Sequence, residues 1–197
     1  MNIQNLKQRF TRQNLFSFFM VCAFPFHLWT IIMLIRDSSW ITERSGTDSF
    51  IGVASLSMIY ALVESLLFFL LLLVLSLLIP WNWPAKKVYA LLGFIALWIP
   101  IWDIAVQVYR AVDLANPDFL ARWLISTHHP IRYSYPLFAL IVLVVISLTA
   151  LGIWLSSFKP KFQHGLTNVL ERLAVLSALY LVLDLVGVVV LVIRITG

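Results

Sequence analysis

Five apolar runs dominate this chain, each long enough to cross a membrane as a helix. A spanning helix needs about 20 predominantly apolar residues to cross a roughly 30 Å hydrocarbon layer. The runs cover about 15–35, 50–79, 88–109, 136–158 and 173–193. The third is the weakest, because it holds Pro100, Asp103 and Gln107; if it is re-entrant, four spans remain. The composition agrees with this class. Hydrophobic residues make up 61% of the 197 and charged residues 12%, with a mean hydropathy of +0.94, where soluble domains run about 45–50% apolar and about 25% charged. Soluble, disordered, collagenous and disulfide-rich classes are excluded.

A lone cysteine, Cys22, excludes an intrachain disulfide, a CxxC redox pair and a cysteine zinc site. Val21 stands before it where a lipoprotein cysteine needs a small residue. The basic start is followed by an apolar run too long for a signal-peptide core and without a small-x-small cleavage site, so the expectation is an uncleaved first span.

The net charge of +5 is spread along the flanks of the apolar runs, which makes anionic lipid headgroups the natural counterpart and argues against nucleic acid. Positive charge also orients the chain. With the N-terminus inside, Lys7, Lys86, Lys87, Lys159 and Lys161 all fall inside, together with Arg9, Arg12 and Arg172. Arg36, Arg44, Arg110, Arg122, Arg132 and Arg194 fall outside. The bias favours N-in, C-out. The expected fold is an all-α integral membrane protein, one polytopic domain over 1–197, built as a bundle of five helices with short loops. Short loops and the lack of eukaryotic targeting signals point to a bacterial inner membrane.

The loops carry their own signals. Trp81 and Trp83, between Pro80 and Pro84, sit where interfacial aromatics sit. Asn168 and Glu171 have capping-box spacing and are expected to start the fifth helix after a 159–171 loop. Asn116-Pro117-Asp118 reads as an N-cap, a proline at N1 and a first-turn acid. Phe119, Leu120, Trp123 and Leu124 then form one apolar face, which predicts a short interfacial helix on the outer surface. The 1–14 stretch has a similar pattern for the inner surface.

Three acids fall inside predicted spans, Glu64, Asp103 and Asp184, and His27 lies near the middle of the first. Ionisable groups at such depth are costly and face a bundle interior or a water cavity. On the third helix, Gly93, Ala96, Pro100, Asp103, Gln107 and Arg110 follow one another at helical spacing, a seam of small and polar residues that suits a central helix. On the second, Ser57, Tyr60 and Glu64 share a face; on the fifth, Ser177, Tyr180 and Asp184 do the same, with Gly187 extending it. Both read S-x-x-Y-x-x-x-acid. In this topology the two copies run antiparallel, as an inverted repeat requires. Helices one and four carry no comparable match, and Ser, Tyr and one acid are also a common way to make any interior face.

The intramembrane polar set is therefore Glu64, Asp103, Asp184, Tyr60, Tyr180, Gln107 and His27. Its roles divide between locking helix packing and lining a cavity for protons or a cation. Arg36, Arg110 and Arg194 mark outer helix ends; they either snorkel to headgroups or form a basic ring for a lipid or partner. A single intraspan histidine argues against bis-histidine haem ligation. His128 and His129 lack a nearby third metal ligand, and His164 reads as a solvated loop residue.

No hydrolase, nucleotide-binding, haem or metal signature occurs, and no lysine lies within a span to form a retinal Schiff base. No cofactor is implied. A membrane scaffold or accessory subunit is the leading expectation, with the bilayer, other membrane subunits or a second copy as partners. The alternative is a small proton- or cation-coupled transporter using Glu64, Asp103 and Asp184. An intramembrane hydrolase would need Asp103 and Asp184 to share a proton and water.

Overall fold

The computed structural model describes residues 11–111, 122–123, 125–127 and 130–196, with the backbone alone at 45, 109–111, 130–131, 133–134 and 137. Every regular element among them is a helix, and five are long and apolar enough to cross a membrane. They are α1 (Arg12–Arg44), α2 (Gly46–Leu77), α3 (Ala85–Ala111), α4 (Pro130–Phe158) and α5 (Pro160–Thr196). The short interfacial helix expected over 116–124 and the amphipathic 1–14 stretch fall almost wholly outside the described residues, as do His128 and His129.

α1 and α2 form an antiparallel hairpin. Phe26 packs on Phe68 and Phe19 on Phe69, while Ile41 and Val53 line one groove nearer the tip. The turn is compressed into one residue. Gly46 adopts φ 79°, ψ 168°, a region that only glycine occupies without strain. Residues 36–49, expected as a loop, are otherwise helical. At 1.5 Å per residue the 33 residues of α1 reach about 50 Å, roughly 20 Å more than a bilayer core requires. The hairpin is therefore longer than the hydrocarbon layer is thick, and its tip carries Arg36, Asp37, Glu43, Arg44 and Asp48.

α5 also differs from expectation. It starts at Pro160, not at Asn168, and Asn168 and Glu171 lie in its interior. Proline at N1 costs nothing, because the first amides of a helix have no intrahelical acceptor. Lys159 serves both helices: its N–H donates to Leu155 and its carbonyl accepts from Gln163. A capping box needs a chain break before it, and here the chain is already helical.

The contacts fix the relative helix directions. α5 lies along the α1–α2 hairpin, parallel to α1 (His27 with Asp184, Phe24 with Tyr180) and antiparallel to α2 (Ser55 against Gly187, Asp48 and Gly52 against Arg194). α3 runs parallel to α1 and α5, with Ser17 on Tyr89 and Leu170 on Gly93. α4 runs antiparallel to α3, joined by the Trp98 indole N–H donating to Thr149 and by Phe94 against Gly152. α4 lies at the periphery, with most of its large apolar side chains exposed. A core of Phe18, Met20, Val21, Cys22, Leu72, Val88, Leu92 and Leu170 fills the space among the other four helices.

Candidate functional site

The most enclosed polar constellation lies between α1 and α5. His27 is fully buried and Asp184 is 3% exposed. His27 Nδ1 lies 2.9 Å from the Ala23 carbonyl, and Nε2 lies 3.0 and 3.1 Å from the two Asp184 oxygens. A carbonyl only accepts, so Nδ1 carries a hydrogen and donates it. Nε2 and the carboxyl then need a second proton between them, on the ring or on the acid. The pair thus leaves no ring nitrogen unbonded. Tyr180, one turn before Asp184, stacks on the imidazole with centroids 5.2 Å apart and planes 4° apart. Buried Ser177 donates to the Leu173 carbonyl, and Gly187 lets α5 approach α2 closely, since an added Cβ would meet the Ser55 carbonyl oxygen at 3.1 Å.

The local sequence explains the setting. Pro25 lacks an N–H, so the carbonyl it leaves without a donor is that of Val21. The His27 ring turns instead to Ala23, one turn back along its own helix. The bond fixes the ring plane and aims Nε2 across to α5. His27 and Asp184 each lie near the centre of an apolar run, and this shared depth is the signal that sequence spacing alone did not use.

The other two acids are placed differently. Glu64 is exposed at the middle of α2 and makes no hydrogen bond or ion pair among the described residues. With Trp29, Tyr60 and Asp37 it lines a groove of about 290 Å³ between α1 and α2. Tyr60 itself is 60% exposed. Asp103 is exposed on α3, where it accepts from the Gln107 amide at 2.7 Å; Gln107 in turn accepts from the Trp29 indole at 2.6 Å. The α3 seam is buried at Gly93, Ala96 and Pro100 and emerges to the surface at Asp103 and Gln107. The structure thus brings His27, Tyr180 and Asp184 together, joins Asp103 to Gln107, and leaves Tyr60 and Glu64 on an outward face. The three acids do not converge on one cavity, and Asp103 and Asp184 do not bond to each other.

Arg36 and Arg194 are engaged within the chain. Arg36 pairs with its neighbour Asp37 at 2.8 and 3.1 Å. Arg194 donates to the Asp48 backbone carbonyl, its guanidinium lying over Gly52 where a side chain would collide with it. It straps the end of α5 to the start of α2. The Arg110 side chain is outside the described residues. His164, helical and not in a loop, has its ring 3.4 Å from Lys86 Nζ. Among the described residues no three His, Cys, Asp or Glu side chains cluster as metal ligands would.

Comparison with protein-family models, curated proteins and solved structures finds no match to this chain.

Proposed function

We propose that this protein is a non-enzymatic scaffold or accessory subunit of a membrane complex, and that the Tyr60–Glu64 face of α2 is the surface another membrane helix covers. The observation that carries the reading is Glu64: a carboxyl group at mid-span, exposed, with no hydrogen bond or ion pair among the described residues. A charged group facing lipid at that depth costs at least ~2.5 kcal/mol, and such residues pair with other polar groups. A neighbouring helix that donates to Glu64 removes that cost and turns it into association energy. The occupant is another subunit or a second copy of this chain.

The proposal includes an N-in, C-out orientation, supported by the lysines at one end of the bundle, and a bacterial inner membrane, supported by the short connections. The transport alternative rests on Glu64, Asp103 and Asp184 acting together, and their three separate settings take that support away. The hydrolase reading loses its support in the same way. Asp184 is bonded to His27 and only 3% exposed.

Native electrophoresis of solubilised source membranes tests the proposal. The wild-type chain is expected in a species larger than the monomer, and Glu64→Gln and Tyr60→Leu shift it to the monomer position without loss of folded protein. A wild-type chain that migrates as a monomer, or a Glu64→Gln chain that keeps its complex, contradicts it.

A further inference from the structure

A second cavity, of about 450 Å³, opens at the end of the bundle that holds Lys86, Lys87, Lys159 and Lys161. Its size is that of a small-molecule site. The walls come from the start of α1, the end of α2, the start of α3 and the first half of α5. Its polar lining includes Ser17 and Tyr89, whose hydroxyls lie 3.0 Å apart, and the charged Lys86 and Glu171. Its apolar lining includes Leu73 and Leu92.

The two charges decide what fits. Lys86 and Glu171 line the same cavity yet form no ion pair with each other. Lys86 lies 3.4 Å from the His164 ring, and Glu171 makes no hydrogen bond or ion pair among the described residues. The neighbouring lysines are used otherwise: Lys87 lies 3.4 Å over the Trp83 ring and 4.7 Å over Phe158, and Lys159 lies 4.9 Å over Trp154. These tryptophans mark headgroup depth. A positive and a negative group that do not pair with each other, lining one cavity with apolar side chains near headgroup depth, complement a dipolar amphiphile.

We propose that this cavity binds a zwitterionic phospholipid with a primary-amine headgroup. Its phosphate sits on Lys86 at the first turn of α3, whose amides favour an anion. Its ammonium sits on Glu171 beside the Tyr89 and Ser17 hydroxyls. One acyl chain lies along Leu73 and Leu92. A quaternary ammonium fits less well, because recognition of that group relies on an aromatic cage and the cavity offers a carboxylate and hydroxyls that want hydrogen-bond donors.

Delipidated full-length protein in maltoside detergent tests this by native mass spectrometry. The probes are dioctanoyl phosphatidylethanolamine, dioctanoyl phosphatidylcholine, dioctanoylglycerol and glycerophosphoethanolamine. The ethanolamine lipid is expected to bind tightest. Lys86→Gln weakens it about tenfold, and Glu171→Gln lowers ethanolamine-lipid binding by more than choline-lipid binding, so that the preference between the two lipids is lost. Both residues are exposed, and size-exclusion profiles confirm that the variants fold. Equal binding of the ethanolamine and choline lipids, equal binding of dioctanoylglycerol, or an unchanged Lys86→Gln affinity overturns the proposal. Glycerophosphoethanolamine binding as well as the full lipid also overturns it, in favour of a soluble phosphate ester.

Discussion

α2 and α5 carry the same pattern, S-x-x-Y-x-x-x-acid, and do opposite things with it. On α5, Ser177 is fully buried, Tyr180 is 9% exposed and Asp184 is 3% exposed, all turned inward to His27 and α1. On α2, Ser57 is half-buried, and Tyr60 and Glu64 point outward. A polar stripe at helical spacing therefore specifies only that a helix has a polar face. Whether that face becomes an internal clasp or an outward surface depends on the helix brought against it. For Asp184 the helix is α1, from the other end of the sequence. For Glu64 no described helix supplies a hydrogen bond or ion pair.

The largest effect separating the two faces is expected at the clasp. Asp184→Ala removes the carboxyl bonded to His27 Nε2 while leaving the ring buried, and removing one member of a buried pair costs about 3–5 kcal/mol. A steric-trapping measurement of unfolding in bicelles reads this directly. The double variant His27→Leu with Asp184→Leu is expected to be more stable than either single replacement, because no polar group is then stranded. Double-variant stability equal to the sum of the two single losses breaks the description of the pair as one unit.

A smaller loss is expected at Gly187, where α5 meets the α2 backbone. Gly187→Val puts a branched side chain where even a Cβ meets the Ser55 carbonyl oxygen at 3.1 Å, and overpacking of this kind costs about 1–3 kcal/mol. The same unfolding assay checks it, and an unchanged value means that α5 and α2 are not in close contact. Smaller again is Gln107→Leu, which removes the link from Trp29 to Asp103. Cross-helix hydrogen bonds in membranes average about 0.6 kcal/mol, so a loss near that value is expected, and one several times larger assigns the outer half of α3 a greater role than its exposure implies.

The smallest effect on stability is expected at Glu64. Glu64→Gln leaves the purified chain as stable as wild type, in contrast to Asp184→Ala, while its cost appears in assembly. Matching stability losses for Glu64→Gln and Asp184→Asn erase the distinction between the two faces.

The five helices were legible because hydropathy reports immersion in the bilayer directly. Their ends were not. The tip residues 36–49 are polar, and polarity says that a segment leaves the membrane, not that it stops being helical; only Gly46 actually breaks the chain. The start of α5 was misread because Asn168 and Glu171 imitate a cap, while Pro160, the residue that can only begin a helix cheaply, carried the true signal. The polar residues were all identifiable by depth, but their pairing was not. Helical spacing gives the residues that share a face and leaves the rotation of each helix open. His27 and Asp184 are 157 positions apart, and nothing local connects them. The seam on α3 shows the same limit, with Ala96 buried and Asp103 exposed on what spacing reads as one face.

The central claim is that the Tyr60–Glu64 face of α2 meets protein and not lipid. Placing a photo-crosslinking benzophenone side chain at Leu67, exposed one turn beyond Glu64 on the same helix, with the same probe at exposed Leu179 on α5 as a control, tests it directly in native membranes. A discrete protein adduct is expected at position 67 that disappears in the Glu64→Gln background, and none at 179. Lipid adducts alone at both positions, or a position-67 adduct indifferent to Glu64, contradicts it.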